Sequence, residues 1–154
     1  MSKLENLPHS AQAILVVDDE PDILSALADL FEVTMPEAKV LTATSGEEGL
    51  KVLEAEKVDI IISDYKMPGM DGLEFLRRAQ QRWPEVPRIL ITAYPQLNLA
   101  MDAINEAAIQ NFFTKPLNPI QVQEAVKAAL IKARMSQQRL QRFQDRQKPI
   151  RGPE

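Results

Sequence analysis

Short apolar runs and longer amphipathic stretches alternate along this chain. Ala13–Val17 is unbroken apolar sequence that ends abruptly in Asp18-Asp19-Glu20-Pro21. Its length and branched residues suit a buried strand. Pro21 reads as the first position of a helix, and Ile23, Leu24, Leu27, Leu30 and Phe31 follow at spacings of three and four, a single apolar stripe. Pro36 stops it. Residues 39–42 form a second short strand, and Ser45 with Glu48 three residues on is a capping-box signature that opens a helix with Leu50 and Leu53 inward. Residues 58–63 are nearly continuous branched apolar sequence, the pattern of a strand covered on both faces. This third strand also ends at an aspartate, Asp64.

The turn-rich stretch Lys66-Met67-Pro68-Gly69-Met70-Asp71-Gly72 leads into a helix bearing Leu73, Leu76 and Ala79, with Asp71 as its cap. Met67 and Met70 read as packing residues. Trp83-Pro84 closes the helix, and Arg88–Thr92 is a fourth strand. Leu97, Met101, Ile104 and Ala108 predict the inward stripe of a fourth helix, and residues 110–114 a fifth strand carrying Phe112 and Phe113. Lys115-Pro116 ends that strand, and Asn118-Pro119 opens a fifth helix through Val122, Val126 and Leu130. Parallel strands need crossovers of helical length, so this alternation predicts an α/β fold with helices on both faces of a doubly wound, five-stranded parallel sheet.

Composition narrows the function. The 154 residues, 45% apolar and 26% charged, allow one ordinary soluble domain, at 12–133, with a short remainder on either side. With no cysteine there is no disulfide framework, zinc ribbon or thiol nucleophile. The single histidine, His9, lies in a polar leader at 1–11 and argues against a histidine-based metal or relay site. The leader lacks the basic start and apolar core of a signal peptide, and nothing later reaches membrane-spanning length. A cytoplasmic protein without membrane insertion is expected. The net charge of −4 is a cancellation: residues 1–131 hold 11 basic and 20 acidic side chains, and residues 132–154 hold 7 and 2. An acidic domain argues against direct nucleic-acid binding by that domain, and the basic 134–154 extension is a separate surface.

In open sheets of this kind, ligands bind outside the carboxyl ends of the strands where strand order reverses. Asp18 and Asp19, Asp64, Thr92 and Lys115 stand at or just beyond four such ends. Singly, an acidic residue after a strand is often a helix cap or turn residue; jointly, the set points to chemistry. Clustered carboxylates repel and call for a cation, and all-oxygen ligation beside a phosphoryl group suits Mg²⁺. Lys115 supplies a mobile charge and Thr92 a hydroxyl donor for a tetrahedral oxyanion. An aspartate beside Mg²⁺ can itself accept a phosphoryl group as an acyl phosphate.

The segments Val16-Val17-Asp18-Asp19-Glu20-Pro21, Ser63-Asp64-Tyr65-Lys66-Met67-Pro68-Gly69-Met70-Asp71-Gly72, Thr92-Ala93-Tyr94 and Phe113-Thr114-Lys115-Pro116 resemble the receiver domain of two-component response regulators, over residues 12–133 and in the family's order. The resemblance implies a flavodoxin-like (βα)5 fold with Asp64 as phosphoacceptor, loaded by a sensor histidine kinase or a phosphotransfer protein. It implies Mg²⁺ held directly by Asp19 and Asp64, through water by Asp18, and by the backbone carbonyl of Lys66. Lys115 falls on the phosphate-binding lysine, with a cis bond to Pro116. Thr92 and Phe113 fall on two switch positions. Thr92 moves to bond the new phosphoryl oxygens, Phe113 rotates inward, and the surface of the fourth helix, fifth strand and fifth helix changes. Lys66 and Tyr94 fall where the family tunes access of water to the acyl phosphate, and a long cation with an aromatic there predicts slow hydrolysis. Pro95 departs from the family's usual small residue and stiffens that loop.

Such a domain assists its own phosphorylation and dephosphorylation but is not an enzyme acting on external substrates. Two rivals remain: a pseudo-receiver that binds partners without phosphorylation, against which the complete acidic set argues, and a Mg²⁺-dependent phosphohydrolase, which needs an acid where Lys66 stands. Beyond Ala133 the Gln- and Arg-rich sequence extends the fifth helix. Val122, Val126, Ala129, Ala133, Ser136, Leu140 and Phe143 form a weak heptad seam. A helical linker and a homodimer through this helix, or through the surface of the fourth helix, fifth strand and fifth helix, both fit. A stand-alone receiver and the amino-terminal piece of a longer regulator both remain open.

Overall fold

The computed structural model describes residues 12–149 apart from residue 95; the 1–11 leader with His9, Pro95 and residues 150–154 lie outside the described residues. Five strands alternate with five helices: β1 Ala13–Val17, α1 Pro21–Thr34, β2 Lys39–Ala43, α2 Gly46–Ala55, β3 Ile60–Asp64, α3 Gly72–Arg82, β4 Arg88–Thr92, α4 Leu97–Ala107, β5 Asn111–Thr114 and α5 Pro119–Gln147. All pairings are parallel and the order is β2-β1-β3-β4-β5. The chain steps from β1 outward to β2, then returns across β1 to β3. Strand order therefore reverses between β1 and β3, and this doubly wound, flavodoxin-like arrangement leaves its crevice there.

Successive strand residues face opposite sides of the sheet, which sorts the core into two layers. Leu15, Val17 and Ile61 pack with Leu53 of α2, Phe75, Leu76 and Ala79 of α3, and Ala103 and Ala107 of α4. Ile14, Val16, Ile60 and Ile62 pack with Leu24, Leu27 and Phe31 of α1 and Val122, Val126 and Leu130 of α5. Every residue of β1, β3 and β4 is buried, as near-continuous apolar runs require. Each large side chain so buried contributes about 1.5–3 kcal/mol.

Three helix starts are capped as their sequences predict. Ser45 Oγ accepts from the Glu48 N–H at 3.1 Å and Asp71 Oδ1 from the Glu74 N–H at 2.8 Å. Asn118 Oδ1 accepts from the N–H groups of Ile120 and Gln121 at 3.0 and 3.2 Å. The capping box is altered in its second half: the Glu48 carboxylate accepts from the N–H and hydroxyl of Thr44, not from Ser45. β3 starts at Ile60, two residues later than the sequence predicts, and includes Asp64. Just before it, the Asp59 carboxylate accepts from the Ala13 N–H at 2.7 Å.

The inward face of α4 differs from the expectation. Met101 and Ile104 are 51% and 58% exposed, and Leu99, Ala103 and Ala107 turn inward instead. Two stripes at helical spacing compete on this helix. The one with the smaller side chains wins because α4 packs closely along α3, where alanine fits. The fifth helix crosses residue 133 without a break and continues to Gln147, with Leu140 and Phe143 exposed.

Candidate functional site

Four strand ends meet at the crevice. Asp18 directly follows β1, and its N–H donates to the Ala43 carbonyl at 3.1 Å, which fixes the backbone where the chain leaves the sheet. Its side chain is buried and accepts from the Glu20 N–H at 2.9 Å, tightening the turn into α1. Asp64, also buried, is the last residue of β3. The loop after it folds back so that the Gly72 N–H reaches the Tyr65 carbonyl at 2.7 Å. A Cβ on Gly72 would overlap the Asp64 carbonyl oxygen, so this close approach requires glycine. Gly69, at φ 77°, makes the preceding left-handed turn.

Thr92 ends β4 and is buried; its Oγ1 accepts from the Tyr94 N–H at 3.0 Å, and among the described residues its hydroxyl proton has no acceptor. Lys115 follows β5, anchored by its N–H on the Thr92 carbonyl at 2.8 Å, and the Lys115–Pro116 bond is cis. The Lys115 ammonium lies 3.2 Å from Asp18 Oδ2, 3.3 Å from Asp64 Oδ1 and 4.0 Å from Glu20 Oε1. Side chains from three distant parts of the sequence, Asp18 with Glu20, Asp64 and Lys115, are therefore neighbours.

Electrostatics follow from burial and charge count. Burial, then the nearby Asp18 charge, push the Asp64 carboxyl up to about 6 against the pull of Lys115. Burial likewise raises Asp18, opposed by the Glu20 N–H and by Lys115. For Lys115, burial works downward, but the charges and hydrogen bonds of Asp18 and Asp64 outweigh it and hold the ammonium above its usual range. Among the described residues one cation faces three carboxylates, since oxygens of Asp18, Glu20 and Asp64 all lie within 4.8 Å of one another. Two negative charges remain uncompensated, and an all-oxygen donor set of that excess charge fits a hard divalent cation such as Mg²⁺.

Beside the cluster lies a cavity of about 480 Å³, lined by Asp19, Glu20, Asp64, Lys66, Tyr94 and Lys115 among others. Asp19 forms part of its wall rather than joining the three clustered carboxylates. Lys66 Nζ sits 4.9 Å from the centroid of the Tyr94 ring, a cation–π pair at the cavity rim. Met67 is buried beneath the loop as packing. Phe113 stands apart, half-buried on β5 in register with Ile91 and packed on the α1/α5 side of the sheet. Glu20 is the residue that sequence reading left out of the cluster. Its signal was present, as the third of an acidic run, but the turn that brings its carboxylate back to Lys115 is visible only in three dimensions.

Residues 14–127 match the family model of the response regulator receiver domain. Among curated proteins, the chain is 36% identical over 124 residues to the transcriptional regulatory protein GlrR of Escherichia coli K12, covering 80% of this chain and 27% of that protein. It is 36% identical over 117 residues to the hydrogenase transcriptional regulatory protein HoxA of Cupriavidus necator, covering 76% of this chain and 24% of that one. The chain thus spans about a quarter of the length of these relatives. Among solved structures, the signal receiver domain of an HD domain-containing protein from Pseudomonas fluorescens Pf-5 superimposes with a TM-score of 0.77 at 32% identity, over 81% of this chain and 98% of that one. A CheY-like receiver domain protein from Methanospirillum hungatei gives 0.78 at 30% identity, over 82% and 99%. On its fold, its strand-end acidic cluster and these matches, the chain belongs to the receiver domains of two-component response regulators.

Proposed function

We propose that residues 12–133 work as a phosphorylation-dependent switch with Asp64 as the phosphoacceptor. The observation that carries this reading is the buried Asp64 carboxylate, 3.3 Å from the Lys115 ammonium, at the strand-order reversal and on the wall of an accessible cavity. A partner histidine of a sensor kinase or phosphotransfer protein brings the phosphoryl group. An Asp64 oxygen forms the new P–O bond as the P–N bond breaks, and the imidazole leaves with the electron pair and takes up a proton. Lys115, already between Asp18 and Asp64, meets the transferred oxygens as a point charge. Asp18, Asp19, Asp64 and the Lys66 carbonyl, with Glu20 beside them, are the oxygens that would hold Mg²⁺. When bound, the cation supplies charge neutralisation of carboxylates and phosphoryl oxygens that otherwise repel.

Thr92 is the reporter. Its hydroxyl proton donates to a phosphoryl oxygen, and the space it vacates lets Phe113 turn inward, which alters the face of α4, β5 and α5. Lys66 and Tyr94 shield the acyl phosphate from water. The basic 134–154 segment, helical as far as Gln147, carries the signal away from the domain, as a linker or as a contact with a second copy. Incubating the protein with Mg²⁺ and a small phosphodonor, then weighing it intact, tests the central step. One added phosphoryl group, absent in Asp64→Ala, is expected; uptake that survives in Asp64→Ala would overturn the assignment.

A further inference from the structure

Among the described residues, one buried charge takes no part in the proposed switch. Arg88, the first residue of β4, is 3% exposed, and no ion pair within 4 Å involves it among the described residues. Among the described residues its guanidinium donates only to backbone carbonyls: Nε to Ala107 at 2.9 Å, Nη2 to Ala108 at 3.2 Å, and Nη1 to Val86 at 2.6 Å and Pro84 at 3.3 Å. Ala107 is the last residue of α4, and Ala108 follows it in a left-handed conformation at φ 47°. A buried cation without a carboxylate is costly unless its donors are satisfied. Here they are satisfied by the orphan carbonyls and the negative pole at a helix carboxyl end. The Arg88 N–H also donates to Gln110 Oε1 at 2.6 Å, tying the same strand end to the start of the next element.

Among the described residues, the opposite end of α4 shows no comparable hold. Its N-cap, Gln96, makes no side-chain cap bond, and no acidic residue occupies the first turn. Along its length the described inward side chains are Leu99, Ala103 and Ala107, of which two contribute only a methyl group each. In sequence that end follows Thr92, whose Oγ1 is bonded to the Tyr94 N–H. A movement of Thr92 would break or drag that bond to Tyr94, two residues before the Gln96 N-cap.

We propose that Arg88 is the pivot of α4: a positioning residue that fixes the helix at Ala107 and Ala108, so that the response to phosphorylation is a swing of its amino-terminal turn. This rests on the receiver reading, and it adds which end moves, which end stays and which side chain decides it. The fork geometry matters because one planar group must reach carbonyls from the α3–β4 loop and from the α4 terminus at once.

Backbone hydrogen exchange on the full chain, with Mg²⁺ alone and with Mg²⁺ plus beryllium fluoride, tests it. In the wild type, amides 100–102 are expected to change by about tenfold between the two conditions while amides 105–107 change by less than about twofold. In Arg88→Met the response is expected to spread to 105–107, and Arg88→Lys, which keeps the charge without the fork, is expected to fall between. Phosphoryl uptake by mass should be the same in wild type and Arg88→Lys, because Arg88 does not touch the acceptor. An equal response at both ends of the wild-type helix overturns the pivot, and that comparison holds even if Arg88→Met does not fold. An unaltered profile in Arg88→Lys overturns the role of Arg88. No exchange response with phosphoryl uptake intact overturns the pivot alone; no response and no uptake removes the receiver reading and the pivot with it.

Discussion

Replacing Asp64 with asparagine should stabilise the metal-free protein, although it removes the residue on which the proposed switch depends. The carboxyl is ordinarily at 3.8 and is pushed up to about 6 by burial and by Asp18. At about 1.4 kcal/mol per pH unit, keeping it ionised in the fold costs about 3 kcal/mol at neutral pH. The sign follows from the direction of the shift. Below about pH 3.8 the carboxyl is protonated in folded and unfolded chains alike. As pH rises toward 6 the unfolded chain ionises first, and stability is lost until the folded carboxyl has ionised too. Asparagine keeps the shape, removes the charge and leaves Lys115 paired with Asp18. For a domain of this size, 1 kcal/mol moves the midpoint by about 2–4 °C, so Asp64→Asn should melt about 6–12 °C higher than wild type at pH 7.5 in a chelator. The assay is thermal unfolding by circular dichroism between pH 4 and 7.5. The gap between the two proteins should close as pH falls. Mg²⁺ at a hundred times its Kd should close it from the other side, raising wild type by about 2.7 kcal/mol and the variant by less. An Asp64→Asn protein less stable than wild type at pH 7.5 without Mg²⁺, or a gap that ignores pH, would refute the reasoning.

Other consequences are open to direct measurement. Removing the rim pair with Lys66→Ala plus Tyr94→Ala should speed loss of the phosphoryl group by about tenfold, a barrier change of about 1.4 kcal/mol; an unchanged decay rate in an intact-mass time course would count against shielding. Leu76→Ala, in the fully buried layer between α3 and the sheet, should cost about 2–5 kcal/mol in urea unfolding. Gly72→Ala forces the loop off the Asp64 carbonyl, so phosphoryl uptake should slow while far-ultraviolet circular dichroism stays native; normal uptake would show that the loop gives without moving the acceptor.

Much of this molecule was legible before its coordinates. Strand ends are punctuated by charge, and parallel topology alone gathers Asp18, Asp64, Thr92 and Lys115 at one edge, where Lys115 meets Asp18 and Asp64. The face of α4 was not legible. Periodicity ranks stripes by apolar size, and it chose Met101 and Ile104, whereas the space beside α3 is decided by how closely two backbones approach, which favours Ala103 and Ala107. Glu20 escaped because its place depends on a turn held by the Asp18 carboxylate. Arg88 escaped for a related reason: an arginine opening a strand reads as a solvated end. What buries it is a set of carbonyls, two of them 19 and 20 residues away in sequence, that no pattern of side chains announces.

The uninterrupted fifth helix gives the protein a lever arm. Its 29 residues, at about 1.5 Å each, make a rod of about 43 Å, of which the part beyond residue 133 is about 21 Å. The root of that rod is clamped in the core by Val122, Val126 and Leu130, and its far half touches little, as the exposure of Leu140 and Phe143 records. A tilt of only about 5° at the root displaces the tip by about 2 Å, since a rigid helix transmits rotation without bending. A repacking too small to notice inside the domain would therefore become, at the end of α5, a movement the size of an atom or more, delivered on a basic surface some distance from Asp64, the proposed phosphoacceptor.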